Sequence, residues 1–406
     1  MLKQILFLFI LGYYFIAPAQ KKDSLSIKNG IENPNLLATH HFGIFSSRIN
    51  TNFKLLPSRQ NTLTIHYTSG NNFHPFVEAY FPKDPAVRER LSQTIWHDRS
   101  FTFQDQQSTP ADYLNIVIDA VIKEFRINFN MPLAKGHELD LSLRSYLIGK
   151  GKHPFSLFTG DESIEWFHSN VAGGEDPYGR RYYGLNQVNF KYLDKNGNTL
   201  ELNNNDFFIG GIELSHYYYP KLAINKSKLI FINFGSHLGI NTTKFNASLD
   251  IGISANAVKK IILKNNYEFN AALGVNVLRK NLLDFKDDVI DLGNNKYLGT
   301  LESNVEITKH TKKGNFNAFG INFQMQTRYS KKEEANYYKL LGKWKEINGG
   351  WHNGVATLYK TLSNWNFVYT YGCPKFKLSI FVKEDFEVNN APDFQTGLNL
   401  KLPVFN

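Results

Sequence analysis

The stretch Phe245-Asn246-Ala247-Ser248-Leu249-Asp250-Ile251-Gly252-Ile253-Ser254-Ala255-Asn256-Ala257 decides how the rest of the chain is read. Its odd positions are apolar, and its even positions carry Asn, Ser, Asp or Gly. A β-strand sends successive side chains to opposite faces, so this is a strand with one greasy face and one wet face. It outruns the roughly 5–6 residues of an ordinary soluble strand and satisfies the roughly 9–11 needed to cross hydrocarbon.

Three neighbouring stretches repeat the rhythm. In 267–277, Tyr267, Phe269, Ala271, Leu273, Val275 and Val277 alternate with Glu268, Asn270, Ala272, Gly274 and Asn276. In 230–240, Ile230, Ile232, Phe234, Leu238 and Ile240 alternate with Asn233, Gly235, His237 and Gly239. In 319–328, Phe319, Ile321, Phe323 and Met325 alternate with Gly320, Asn322, Gln324, Gln326 and Arg328. Long strands of this kind predict an all-β fold: a transmembrane antiparallel up-and-down barrel with its polar rows facing a wet lumen.

Weaker strands are predicted at 42–55, 61–70, 122–131, 138–148, 187–194, 206–219, 297–308, 351–360, 365–372, 375–383 and 394–405. With the first four they make fifteen, yet single-chain bacterial barrels use even numbers. Long loops at 71–121 and 149–186 fall at one end in this count, and those at 279–296 and 330–350 at the other. The miscount is therefore expected between 187 and 278, around Lys195-Asn196-Gly197-Asn198. About fourteen strands are expected, with 12 to 16 as the range, and with short helices in the long loops.

Residues 1–19 read as a signal peptide: Lys3, an apolar core from Ile5 to Ile16, and Ala17-Pro18-Ala19 before Gln20. A short N-terminal segment, 20–41, then precedes the barrel at 42–406. That segment is too short for the plug domain of an energy-coupled receptor. Beyond residue 20 no run of 18 apolar residues offers a transmembrane helix. Mean hydropathy is −0.35, yet the chain holds 33 Phe, 21 Tyr and 5 Trp, as suits a barrel with one greasy face and aromatic girdles. Leu398, Leu400, Leu402 and Val404 form a final greasy row, with Phe405 one step out of phase.

Cys373 is the only cysteine, which excludes intrachain disulfides and CxxC metal sites. The twelve His show no HxH or HExxH spacing, so no metal and no cofactor is expected. The net charge of +10 is spread along the chain. It favours anionic lipid head groups or anionic solutes over nucleic acid. Expected partners are outer-membrane lipids and lipopolysaccharide, the barrel-insertion machinery, and a small solute.

Three helices are expected in loops. Asp84-Pro85 opens one with Val87, Leu91 and Ile95 on a face. Thr159-Gly160-Asp161-Glu162 fits a capping box for a second, with Ile164, Phe167 and Val171 as its stripe and Gly173-Gly174 as its stop. A third covers about Glu333 to Ile347.

Ile164-Glu165, Phe167-His168, Gly173-Gly174 and Arg180 or Arg181 resemble the motif of an uncharacterised family of Gram-negative outer-membrane proteins, as does Asn33-Pro34. Phe158-Thr159-Gly160-Asp161-Glu162 departs from that family's Gly-rich lead-in. The resemblance implies an outer-membrane barrel and supplies no catalytic residue. His168-Ser169 also suggests an outer-membrane lipid hydrolase. However, a serine needs its base within hydrogen-bond reach, which on a strand means two residues apart. Adjacent residues on a helix diverge by about 100°, so His168 is expected instead to make an exposed polar pair with Glu165.

Arg126, Arg144, Glu213, Asp250, Glu268, Glu302, Glu306 and Arg328 fall at in-facing positions by phase. They fit a pore lining or an internal salt-bridge network equally well. The expected function is a passive channel or binding barrel for a small solute or lipid-like molecule, with no enzymatic activity. The alternatives are a structural or adhesive barrel with a closed lumen, and the hydrolase using His168 and Ser169.

Overall fold

A computed structural model describes residues 28–38, 40–75, 95–96, 99–100, 116–133, 135–151, 156, 158–171, 185–193, 198–286, 290–293, 295–311, 314–329, 361–384 and 394–404. Its strands are β1 (Thr62–Pro75), β2 (Ile95–Trp96), β3 (Arg99–Ser100), β4 (Ile116–Pro132), β5 (His137–Gly149), β6 (Asn189–Leu193), β7 (Thr199–Leu202) and β8 (Phe207–Tyr218). They continue as β9 (Ile230–Thr242), β10 (Ala247–Ile262), β11 (Tyr267–Asp284), β12 (Tyr297–His310), β13 (Phe316–Gln326), β14 (Leu362–Gly372), β15 (Lys377–Glu384) and β16 (Phe394–Pro403).

Twelve of these strands form a closed antiparallel ring in the order β1, β4, β5, then β8 through β16. β16 returns to β1, with Thr62 opposite Pro403 and Gly70 opposite Gln395. Closure satisfies every strand edge internally, which is what a β-structure in lipid requires.

The expected count of fourteen is corrected to twelve. The run at 42–55 is no strand: it contains a 3-10 helix, His41–Phe45, and lies inside the ring. The run at 187–194 is a strand, β6, but it lies outside the ring. It pairs with the upper end of β4 and with β7, just where the miscount was expected. The run at 351–360 lies outside the described residues. With twelve strands the conflict over loops disappears. The long connections 76–115, 150–206 and 327–361 all leave one end of the barrel, the loop end. The tight connections 133–136, 263–266, 311–315 and 373–376 leave the other, the turn end.

The alternation sorts the side chains as the hydrocarbon argument requires. Every strand of the ring exposes apolar residues, among them Ile65, Ile127, Leu141, Leu214, Leu238, Ile253, Val275, Val305, Phe319, Tyr369, Ile380 and Leu398. Their polar neighbours on the same strands are buried, among them Asn256, Asn270, Glu302, Asn322 and Thr370. A water-soluble barrel would show the reverse. Ile253 is 67% exposed near the middle of β10. Ile253→Lys is therefore expected to cost about 2–4 kcal/mol when the chain is unfolded reversibly from lipid vesicles. A cost near zero would argue against a hydrocarbon environment at that position.

Of the helices expected in loops, α1 is present as Asp161–Asn170. Its N-cap, Gly160, makes no side-chain cap bond. Thr159 instead bonds through its hydroxyl to Ser69 (2.6 Å) and through its carbonyl to Asn71 (3.0 Å), which ties the helix start to β1. Ile95, expected on a helix, lies in the short β2–β3 hairpin. The helix expected at 333–347, the signal peptide, Gly173-Gly174 and Phe405 lie outside the described residues. A five-residue helix not anticipated from sequence, α2 (Ala223–Ser227), sits in the turn-end connection between β8 and β9.

Candidate functional site: a plugged lumen

Residues 28–56 run up the inside of the barrel and back down. The ascending arm starts at the turn end, where Lys28 pairs with Glu306 of β12. Glu32 places one carboxylate oxygen on Lys377 of β15 and the other on Lys401 of β16, the latter at 2.6 Å. Asn33 donates to Glu302 at 2.7 Å. Higher up, Leu36 packs on Val368 and Phe381, and the Leu37 amide donates to Gln395 at 3.0 Å.

The 3-10 helix turns the chain at the loop end. There the Asn246 side chain donates to the Phe45 carbonyl at 2.8 Å. In the descending arm the Ser47 amide donates to Asp250 (2.9 Å) and the Arg48 amide to Glu213 (2.9 Å). Lys54 ends the arm on Glu138 at 2.6 Å. These partners stand on strands around the whole circumference, so the segment occupies the lumen as a hairpin plug.

The two arms also hold each other. The Ile31 amide donates to the Phe53 carbonyl at 3.0 Å, and Asn33 donates to the Thr51 carbonyl at 3.3 Å. Gly30 lies beside this crossing at φ +80°, and a Cβ there would stand 2.0 Å from the Phe53 oxygen. Only glycine suits both the dihedral and the contact.

Lumen-facing glycines on three successive strands make room for the descending arm. A Cβ on Gly239 would meet Ser47 at 1.9 Å, one on Gly252 would meet Ile49 at 2.4 Å, and one on Gly274 would meet Thr51 at 2.2 Å.

The tip of the plug is an aromatic knob in an aromatic socket. Phe45 is fully buried, with ring centroids 5.6 Å from Phe245, 5.9 Å from Phe208 and 6.3 Å from Phe190. Phe42 packs on Tyr192 at 4.7 Å, and His40 stacks on Tyr329 at 4.3 Å. Phe190 and Tyr192 come from β6, so the hairpin outside the ring serves as the lid of the socket.

Most of the charges expected to face inward form one network with the plug. Glu213 bridges Arg126 (2.5 Å) and Arg144 (3.3 Å), and Glu124 takes Arg126 from the other side (3.0 Å). Arg144 also donates to the plug carbonyls of Ile44 and Ser46 at 3.2 and 2.6 Å. Asp250, Glu302 and Glu306 hold the plug as described. Glu268 contacts Lys260 and His310 near the turn end instead. Arg328 was expected among them, but it stands two residues past the end of β13 and is exposed.

The motif residues sit apart from this network. Ile164 and Glu165 are buried under α1, and Phe167 is exposed. A solvent-exposed Glu165 was expected, and its burial corrects that reading. The His168 side chain, Arg180 and Arg181 lie outside the described residues.

Sequence reasoning missed a different Ser–His grouping. His237 bonds Ser215 through Nδ1 and Ser254 through Nε2, both at 2.8 Å. The three residues come from adjacent strands and meet only through strand register, which a search for near neighbours in sequence misses. Among the described residues no carboxylate bonds to the His237 ring, so the third, orienting group of a hydrolytic triad is not in place.

Acid tests the lower anchor. Burial raises the Glu32 carboxyl, but the ammonium groups of Lys377, Lys401 and Lys28 outweigh it and hold the group well below 4.5. A depressed folded-state value means the unfolded chain binds the proton first, so the stabilisation is fully present above 4.5 and is lost as pH falls through the depressed value. Amide exchange at Ile31, corrected for its intrinsic pH dependence, is therefore expected to stay slow from neutrality to pH 4.5 and to quicken below it. Quickening already near neutrality would contradict the anchor.

Fold and lumen together define a class: a twelve-stranded antiparallel barrel closed from within by its own N-terminal hairpin. No protein-family model matches the chain, and no curated protein matches its sequence. Among solved structures it is similar to an outer membrane channel from Pseudomonas putida F1, at 9% identity and a TM-score of 0.39, over 86% of this chain and 96% of that one. It is also similar to LpxR from Salmonella typhimurium, at 8% identity and 0.37, over 84% of this chain and 99% of that one. For the NanC porin the figures are 10% and 0.35, over 70% of this chain and 94% of that one. Likeness at this level adds nothing about function, and the barrel reading stands on the strand pairing and the exterior described above.

Proposed function

We propose that the chain is an integral outer-membrane barrel with a closed resting lumen, which binds a small solute at its turn end and passes it only when the hairpin plug shifts. The observation that carries this reading is the placement of residues 28–56 inside a ring with an apolar exterior. The plain passive channel expected from sequence gives way to a gated one, because the polar inner rows are engaged by the plug.

Movement of the plug is topologically simple. Both described ends of the hairpin, Lys28 and Leu56, stand at the turn end, so the hairpin can withdraw toward that side. Many of its contacts with the wall are polar and exchangeable with water; its dry anchors are the aromatic tip, Leu36 on Val368 and Phe381, and Ile31, Phe53 and Leu55 beside Val258 and Ala272. Extracellular loops at the loop end and a periplasmic turn end follow from the usual contrast of long and short connections. Lipid and lipopolysaccharide would meet the apolar exterior, and the insertion machinery the strands of the C-terminal end.

Permeability of lipid vesicles carrying the chain tests the proposal: the intact chain holds a small sugar, and loosening the tip releases it. A second reading, a structural barrel that never opens, draws on the same dry tip, and would be favoured if vesicles stay tight after the tip is loosened.

A further inference from the structure

Lys377 and Lys401 are register partners on adjacent strands, so their ammonium groups stand side by side on the inner wall. Like charges directly opposite one another destabilise a sheet. Among the described residues no carboxylate of the wall pairs with either lysine; the counter-charge is Glu32 of the plug, with one oxygen on each. A single carboxylate held by two donors is the geometry of a bound anion.

The surroundings suit a soluble one. Both lysines line a cavity of about 570 Å³ that opens at the turn end, where Lys28, Lys54, Lys221 and Lys260 also contribute. Glu32 supplies the only carboxylate of that lining among the described residues. Lys28, Lys54 and Lys260 are each paired with a wall carboxylate, Glu306, Glu138 and Glu268, so the excess positive charge of the mouth comes from Lys221, Arg59 and the Lys377–Lys401 pair, and it draws anions inward. The same two lysines line a smaller cavity of about 110 Å³ deeper in the lumen, so the pair stands between the vestibule and the interior.

We propose that Lys377 and Lys401 form an anion seat, filled at rest by the plug's own Glu32, which accepts the carboxylate or phosphate of a soluble solute in its place. This rests on the reading of the barrel as a solute-binding, plug-gated one. Glu32 acts as a tethered competitor, and tethering gives it an effective concentration on the order of millimolar. Solute binding and plug docking at this point are therefore mutually exclusive, and each weakens the other by the same factor.

The test is equilibrium dialysis of inorganic phosphate, and separately of acetate, against the full chain in detergent micelles. Glu32→Gln is expected to bind at least one of the two about tenfold or more tighter than the unaltered chain, since the competitor is gone. The gain is expected to vanish in Glu32→Gln/Lys377→Gln/Lys401→Gln. Glu32→Asp keeps the charge but shortens the reach; it shows an intermediate gain and serves if the glutamine chain does not fold. No gain in a folded Glu32 variant, or a gain that survives removal of both lysines, overturns the proposal. Because binding in micelles needs no passage through the barrel, a barrel that never opens in vesicles defeats the proposed function and leaves this result standing.

Discussion

Glu213→Ala is expected to lower the unfolding free energy by about 3–5 kcal/mol, the usual cost of removing one partner from a buried ion pair. Glu213 is the shared counter-ion of Arg126 and Arg144, whose side chains are 2% and 0% exposed. It also accepts the Arg48 amide of the plug. Alanine would leave Glu124 as the only carboxylate paired with these arginines among the described residues.

The measured quantity is the urea midpoint for unfolding from detergent or lipid, with an exposed control such as Lys226→Ala expected to fall within about 0.5 kcal/mol of the unaltered chain. Glu213→Gln should cost less, because its single amide oxygen still accepts at one of the two positions, from the Arg48 amide or from Arg126. Equal costs for the two variants would mean that charge matters little here and that the lumen is wet enough to screen it.

Phe45→Ala is the second large effect, and it separates the plug from the barrel. Truncating a fully buried phenylalanine typically costs about 3–5 kcal/mol, and each 1.4 kcal/mol is about a tenfold change in an equilibrium. Docking of the tip should weaken by roughly two to three and a half orders of magnitude. Phe45 belongs to no strand of the ring, so the ladder from β1 to β16 is untouched. The expected result is a folded barrel whose vesicles leak a small sugar that the intact chain retains. If hydrogen exchange shows the plug amides loosened while the vesicles stay tight, the plug is not what closes the barrel.

The wall of this barrel was legible in the sequence, and its contents were not. The rows at 230–240, 245–257 and 267–277 became β9, β10 and β11 because hydrocarbon outside and polar contacts inside impose a strict period of two. Periodicity misleads at the plug. Residues 42–55 alternate well enough to imitate a strand, but the phase slips between Ile44 and Phe45, both apolar and both buried. A segment enclosed on all sides has no outward face to keep in register.

A second signal of the plug lies in the glycines. Gly239, Gly252 and Gly274 look like small residues facing water, whereas each makes room for a plug residue. Phase put Arg126, Arg144, Glu213, Asp250, Glu268, Glu302 and Glu306 at buried positions but misplaced Arg328, which is exposed. Partners can lie 269 residues away, as for Asn33 and Glu302, and no spacing rule links such pairs.

The central claim is that residues 28–56 close the lumen, and planar-bilayer recording tests it most directly. The full-length chain should insert with no resolved steps. The same chain lacking residues 28–56 should give stable open steps in every insertion, with Phe45→Ala flickering between the two. Equal steady conductance in the full-length and shortened chains would contradict the account.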